Sequence, residues 1–245
     1  MRLIAESWSE DVTERLFTID DVPGVVWAPT EAAGPRPLVL LGHGGGGHKT
    51  APSMVDRARR YVTGNGFAVA AIDAPGWGER PIPVEYEPFN AEIEELTAAG
   101  KPLGEAFARR AVVAAELAIP EWKAAIDALT GLDWIGAGGP VGYWGVSLGC
   151  AIGLPLLAAE PRIRAAVLGL MGHETLAEVA AQLTVPVEFI LQWDDELVPR
   201  ACGLALFDAI GSAAKSLHAN PGRHAQVPAF EVDSSGRFFA RHLLG

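Results

Sequence analysis

Cysteine is nearly absent: the 245 residues hold two, Cys150 and Cys202. That is too few for the disulfide framework that staples small secreted folds. Positive charge is also scarce, with 19 Lys and Arg against 30 Asp and Glu, a formal net charge of -11 and a pI near 5.0. No Lys/Arg cluster tracks a phosphate backbone, which excludes nucleic acid and an anionic membrane surface as expected partners. Apolar runs long enough to span a bilayer are missing. The opening "MRLIAESWSED" turns acidic before any apolar stretch of useful length, so no signal peptide is expected and a reducing cytoplasm fits best. There is no internal repeat and no low-complexity tract.

What is present is a chain for a large core. Hydrophobic residues make up 49%, and 28 glycines and 18 prolines are spread along the sequence rather than massed, a composition that predicts one globular domain over 1–245 with many turns. "VTERLFTI" and "PGVVWAP" flank a turn-rich "DDVPG" and predict an antiparallel hairpin. Then the pattern changes. "PLVLLG" (37–42), "GFAVAAID" (66–73), "PVGYWGVS" (140–147), "RAAVLGL" (164–170) and "VPVEFILQ" (185–192) are short apolar runs bounded by Gly, Pro or Asp. Such runs fit strands covered on both faces. Segments of helical composition fall at 52–64, 104–130, 149–159, 174–182 and 200–213, with "KSLHANPG" as a further strand and "SSGRFFARHLL" as a closing helix. Alternation of this kind predicts an α/β fold: a mostly parallel sheet with helices on both faces and the opening hairpin as its antiparallel edge.

One connection is longer than a crossover needs. Between Asp73 and the strand near Val141 the chain is rich in proline and aromatics at first, in "PGWGERPIPVEYEPFN". Residues 77–118 are therefore a candidate cap over the carboxyl edge of the sheet, the alternative being a solvated loop with an extended helix, and Trp77, Tyr86 and Phe89 are candidate pocket walls.

The chemistry concentrates in "WGVSLGC". Ser147 sits between Gly145 and Gly149, after a predicted strand and before a predicted helix. A strand-to-helix elbow with small flanking residues presents a serine hydroxyl at the carboxyl edge of a sheet. A serine needs a base to take its proton and a carboxylate to orient that base. Of six histidines, His224 in "NPGRHAQVP" follows the last predicted strand in an exposed turn, whereas His218 lies in or at the end of that strand and His242 near the chain end. His224 is the better base. The acid is expected in "ILQWDDELVP", where Asp194, Asp195 and Glu196 follow a strand and physical grounds alone do not separate the two aspartates.

"LGHGGGGHK" supplies an anion site, because Gly44 to Gly47 let backbone N–H groups converge where side chains would obstruct. The competing phosphate-binding loop fails on register. A Gly-x-x-x-x-Gly-Lys-Ser/Thr motif ending in Lys49-Thr50 needs glycine at 43 and 48, and both are histidine; in the other register His48 replaces the lysine. His43 and His48 have no third ligand nearby, so no metal site is expected, and no cofactor.

Glycine-rich loop, Ser, Asp and His in this order resemble the α/β-hydrolase superfamily over nearly the whole chain. The look is closest to the dienelactone-hydrolase-like and prolyl-oligopeptidase-related serine esterases, through "LGHGGGGHK", "AIDAPGWGER", "GYWGVSLG", "QWDDELVP" and "PGRHAQVP". The resemblance implies Ser147 as nucleophile and His224 as base. It also implies Asp195 as acid, because the family's Asp-x-x-Val-Pro pattern fits Asp195 to Pro199, and oxyanion donors from the backbone N–H of Leu148 and Gly45, with Gly44 or Gly46 as alternatives. Dienelactone hydrolases carry cysteine at the elbow where this chain has Ser147, so their substrate is not carried over. The expected function is hydrolysis of a small-molecule carboxylic ester through an acyl-enzyme. Acyl transfer or thioester cleavage on the same triad, and a non-catalytic binding protein on the same scaffold, are the alternatives. Oligomeric state is not legible.

Overall fold

The structure is a computed structural model that describes residues 1–9, 11–31 and 34–245. Among the described residues nine strands form one sheet: β1 (Arg2–Ser9), β2 (Val12–Ile19), β3 (Val22–Pro29), β4 (Leu38–Gly42), β5 (Ala68–Ile72), β6 (Val141–Val146), β7 (Ile163–Gly169), β8 (Val187–Gln192) and β9 (Lys215–Asn220). Their order is β1-β2-β3-β5-β4-β6-β7-β8-β9. The first three pair antiparallel, β3 meets β5 antiparallel, and all pairs from β5 through β9 are parallel.

Seven helices cover it: α1 (Pro52–Asn65), α2 (Glu87–Ala98), α3 (Gly104–Thr130), α4 (Leu148–Ala159), α5 (Ala177–Ala181), α6 (Arg200–Ala209) and α7 (Phe230–Leu243). α1 and α7 bury Met54, Tyr61, Phe238 and Phe239 against one face, together with Val39, Val69 and Ile190 of the sheet. Residues of α3 to α6 pack on the other face around Leu40, Tyr143 and Phe189. Every residue of β4 and β5 is buried, which is why these strands read as continuous apolar runs rather than alternating ones. α1 starts with Pro52 in its first turn and stops at Gly66, whose φ of 70° lets its N–H reach Val62 O at 2.9 Å. In α3 the spacing of Ala111, Ala115, Ala118, Trp122, Ala125 and Leu129 lays a small-residue stripe against the core, so this helix approaches α4 and the sheet closely. No helix among the described residues is long and apolar enough to cross a membrane.

Three departures from the sequence-based expectation have physical reasons. β1 lies outside the predicted hairpin and forms the sheet edge, so β2 and β3 are interior strands. All eight of its residues are exposed, and a strand with no buried face imprints no alternation on its sequence. α2 lies in the stretch that the sequence leaves open between a cap and a solvated loop with an extended helix, with no separate helix predicted there; it buries no residue, so it too lacks an apolar stripe. The predicted helix at 174–182 shrinks to a single 3₁₀ turn at Glu174–Leu176 followed by the five residues of α5. The stretch 77–118 contains a 3₁₀ turn at Val84–Tyr86, α2, and the first half of α3.

Ser147 stands at the junction of β6 and α4 with φ 55° and ψ -119°, a backbone region that side chains rarely adopt. Its N–H is held by Gly169 O at 2.9 Å. A Cβ at Gly149 would lie 2.2 Å from the Gly42 carbonyl oxygen, and one at Gly145 would lie 2.6 Å from Gly149 O. Backbone meets backbone there, so no side-chain rotation relieves the clash. Gly149→Ala is expected to cost about 1–3 kcal/mol, like other overpacked sites, and to lower the thermal midpoint by roughly 2–10 °C in a domain of this size. Gly64→Ala in α1, where an added Cβ meets nothing within 4 Å, should not lower it. Circular-dichroism melts of both variants check this.

Candidate active site

Three loops at the carboxyl edge of neighbouring parallel strands bring the candidate residues together. Ser147 follows β6, Asp195 follows β8 and His224 follows β9. Ser147 Oγ lies 3.1 Å from His224 Nε2, and His224 Nδ1 lies 2.7 Å from Asp195 Oδ2. The serine and aspartate thus engage opposite nitrogens of one imidazole. With Asp195 ionised, Nδ1 carries the proton and Nε2 is left as acceptor for the serine hydroxyl.

The aspartate in contact is Asp195 rather than Asp194. Asp195 Oδ1 accepts from the N–H groups of Leu197 and Val198, both at 2.8 Å, which leaves Oδ2 aimed at the imidazole. Asp194 is exposed and contributes its backbone N–H to Gly222 O at 3.1 Å. Glu196 holds the His224 loop from outside: its carboxylate accepts from the His224 backbone N–H at 3.0 Å and lies 3.4 Å from Arg223 Nε. The His224 N–H holds the Glu196 carboxyl below the usual range. His218 points away from this chain of contacts, toward Glu188 and Glu231, and His242 stacks on Phe238 within α7.

Sequence reasoning missed Gln192, the last residue of β8. It is buried, and its Nε2 donates to the carbonyls of Pro221 and Arg223 at 3.4 and 3.1 Å. One amide therefore fixes the turn that presents His224. Its signal in the sequence is slight, a polar residue closing an apolar run.

The glycine-rich loop runs directly beside the elbow. A Cβ added at Gly44 would lie 3.8 Å from Ser147 Cβ, and one at Gly45 would lie 3.9 Å from Trp77 Cζ2. Leu148 is the first residue of α4, so its N–H belongs to the first turn, where no carbonyl of the helix can accept it. His43, buried at 3% exposure, ties this loop to the next. The Ala74 N–H donates to its Nε2 at 3.0 Å, which leaves Nδ1 to donate to Gly44 O at 2.9 Å. Burial pushes the His43 pKa down, keeping the ring neutral as this bonding requires.

Lys49 serves the same loop from behind. Its backbone N–H and ammonium donate to Asp73 Oδ1 and Oδ2 at 2.7 and 2.9 Å, its ammonium also meets Glu79, and the Glu79 N–H reaches Asp73 Oδ2 at 3.1 Å. This lysine is consumed in a buried pair and faces no phosphate. The aromatic candidates separate. Trp77 is half-buried beside Gly45, Phe89 is half-buried on α2, and Tyr86, 3% exposed, donates its hydroxyl to Pro75 O at 3.1 Å. Cys150, one turn into α4, is fully buried, and burial pushes its thiol up to about 12. It is held as a thiol rather than a nucleophilic thiolate.

Burial alone would raise the Asp73 pKa, but the bonds from Lys49 and Glu79 outweigh it and leave the carboxyl below its usual value. A depressed folded-state pKa gives stability that is present above the unfolded value, near 3.9, and lost as pH falls through the lower folded value. Asp73→Asn leaves Lys49 with only the exposed Glu79 as counter-charge, and a broken buried pair costs about 3–5 kcal/mol. Urea unfolding at pH 7 should show that loss, with the difference from wild type shrinking as the pH is taken below about 4.

Neither a family model nor a curated protein matches the chain. Solved structures do. A cold-adapted esterase from an Arctic intertidal metagenomic library shares 37% identity, with 99% of this chain and 100% of that one covered at a TM-score of 0.79. The Pyrococcus furiosus esterase Pf2001, at 15% identity, covers 99% and 98% with a TM-score of 0.66. A CIB-like hydrolase from Thermoplasma acidophilum, at 14%, covers 97% and 100% with a TM-score of 0.67. The last two speak for the fold alone. The first speaks for more: sharing over a third of its residues with that esterase along the full length of both, the protein belongs to the α/β-hydrolase esterases and is a carboxylic ester hydrolase.

Proposed function

We propose that ester hydrolysis proceeds through an acyl-enzyme on Ser147, with His224 as general base and then general acid, and Asp195 as the residue that orients it. The observation that carries this reading is the unbroken path from Ser147 Oγ to His224 at 3.1 Å and on to Asp195 at 2.7 Å.

His224 Nε2 takes the hydroxyl proton as Oγ forms a bond to the ester carbonyl carbon. Negative charge gathers on the carbonyl oxygen, which the backbone N–H groups of Leu148 and of Gly44 or Gly45 are placed to receive. The bond to the alcohol oxygen then breaks, and the Nε2 proton passes to that oxygen. Water repeats the sequence on the acyl-enzyme: its proton goes to His224, its oxygen bonds to the acyl carbon, and Ser147 recovers its proton as the acid leaves. Asp195 stays ionised throughout and stabilises the imidazolium formed in each half. His43 and the Lys49–Asp73 pair act at one remove, by holding the loop whose N–H groups meet the oxyanion. Trp77, beside Gly45, is the residue we place against the bound ester.

Ser147→Ala is expected to lower kcat on a p-nitrophenyl ester by about 10⁴-fold or more, with the circular-dichroism melt close to wild type. Retained turnover would overturn the proposal. Asp195→Asn, which leaves the imidazole in the wrong tautomer, should cost about 10⁴-fold, whereas Asp194→Asn should leave kcat nearly unchanged. Equal losses at both aspartates would remove Asp195 from its role. A series of p-nitrophenyl esters of rising acyl length, run on wild type and Trp77→Ala, reads the pocket. A preferred length that differs between wild type and Trp77→Ala supports an indole against the acyl chain, and the same preference in both removes it from that position.

A further inference from the structure

Away from the triad, two acids and a histidine converge between the sheet and α7. Glu188 is the second residue of β8, His218 the fourth of β9 and Glu231 the second of α7. His218 pairs in register with Ile190, and Glu188 lies two residues before it, so all three β-residues project to one face. That face is the one α7 covers, since Ile190 packs in the same cluster as Phe238 and Phe239. One donor atom from each of Glu188, His218 and Glu231 falls within 4.8 Å of the others. Glu188 is 3% exposed and Glu231 2%, while the His218 side chain is 28% exposed.

The bonding inside this cluster is incomplete. Glu231 is satisfied on both oxygens, by Asn220 Nδ2 at 2.9 Å and by His218 Nδ1 at 3.0 Å. Glu188 has Oε2 at 3.4 Å from His218 Nε2, and its Oε1 is buried with no hydrogen-bond partner among the described residues. A buried carboxylate oxygen without a donor is costly. Arg237 and Arg241 act on Glu188 only at a distance, and Arg57 is engaged with Tyr61 and Ser235.

We propose that Glu188, His218 and Glu231 form a binding site for a divalent transition-metal cation, zinc by its donor set, that fastens β8, β9 and α7 to one another. One imidazole nitrogen and two carboxylates are ligands that zinc accepts, at about 2.0–2.2 Å each. The donor atoms lie within 4.8 Å of one another, and closing on a cation requires the imidazole, whose Nε2 faces Glu188 and whose Nδ1 faces Glu231, to turn. The partly exposed edge of His218 is the entry path and the place for a water as fourth ligand. Burial pushes Glu188 up to about 7, with His218 opposing and Glu231 adding to the shift.

The position gives the site a structural consequence. His218 and Glu231 bracket the loop 221–229 that carries His224, and Glu188 lies on the strand that leads into Asp195. A cation held there clamps the roots of both loops without touching the reacting atoms.

The test is zinc uptake by the intact protein. Wild type, Glu188→Gln, His218→Asn and Cys202→Ser are equilibrated with zinc chloride, dialysed against buffer and assayed for bound metal, with ester hydrolysis as the check that each is folded. Wild type and Cys202→Ser should retain zinc, and Glu188→Gln and His218→Asn should bind it at least about tenfold more weakly. No retention by wild type, or equal retention by Glu188→Gln and His218→Asn, overturns the site. Should those two variants not fold, anomalous scattering from a zinc-soaked wild-type crystal decides. A peak between Glu188 and His218 supports it, and peaks confined to His224 or Cys202 overturn it.

Discussion

The closeness with which α4 approaches β4 governs the whole carboxyl edge of the sheet. Gly149 and Gly42 touch through their backbones, and Gly145 lies against Gly149 from the neighbouring strand. Tyr143 closes the contact by donating its hydroxyl to Gly149 O at 2.7 Å while its ring packs edge-on against Trp122 of α3. Because helix and strand meet without side chains between them, the chain has to reverse in a single residue, and that residue is Ser147 with its positive φ. Strain in one backbone unit is thereby offset by packing spread over α3, α4 and β6. The same closeness puts the first N–H of α4 beside the glycine-rich loop, so the elbow and the placing of that N–H are two results of one contact.

Around this contact, buried polar groups do what apolar packing cannot, which is to fix direction. His43 accepts from one loop and donates to another. Asp73 gathers three N–H donors from Lys49 and Glu79, and Gln192 grips two carbonyls of the turn before His224. Each bond is modest in net energy, yet each leaves a costly orphan if its partner is lost. The arrangement therefore favours a single geometry over near alternatives, which suits a site whose parts must hold within a fraction of an ångström.

The strands buried on both faces and the order Ser, Asp, His were legible because they depend on local composition: continuous apolar runs, paired glycines, an Asp-Glu-Leu-Val-Pro stretch, a Pro-Gly turn before His224. What stayed hidden depends on partners far along the chain. The phosphate-loop reading of Lys49 already fails on register in the sequence, but what the lysine does instead rests on Asp73, 24 residues on. Glu188 reads as one polar residue in an apolar strand, and its meaning rests on His218 and Glu231, which arrive from β9 and α7. Asp194 and Asp195 are indistinguishable by type. They differ only in that Asp195 closes a turn with Leu197 and Val198, which directs its free oxygen inward. β1 and α2 were illegible for the opposite reason, since they bury nothing and so leave no pattern.

That first strand also ends the sheet. Its pairing with β2 slips between Leu3 and Ala5, where Ile4 is left without a partner across the ladder. An edge broken in this way offers an incoming strand two short, mismatched runs of N–H and C=O groups instead of one continuous template. Leu3, Ile4 and Trp8 are exposed along it, so attraction through side chains is available while backbone pairing is interrupted. The slip gives the rim a geometric stop against extension of the sheet by an incoming strand.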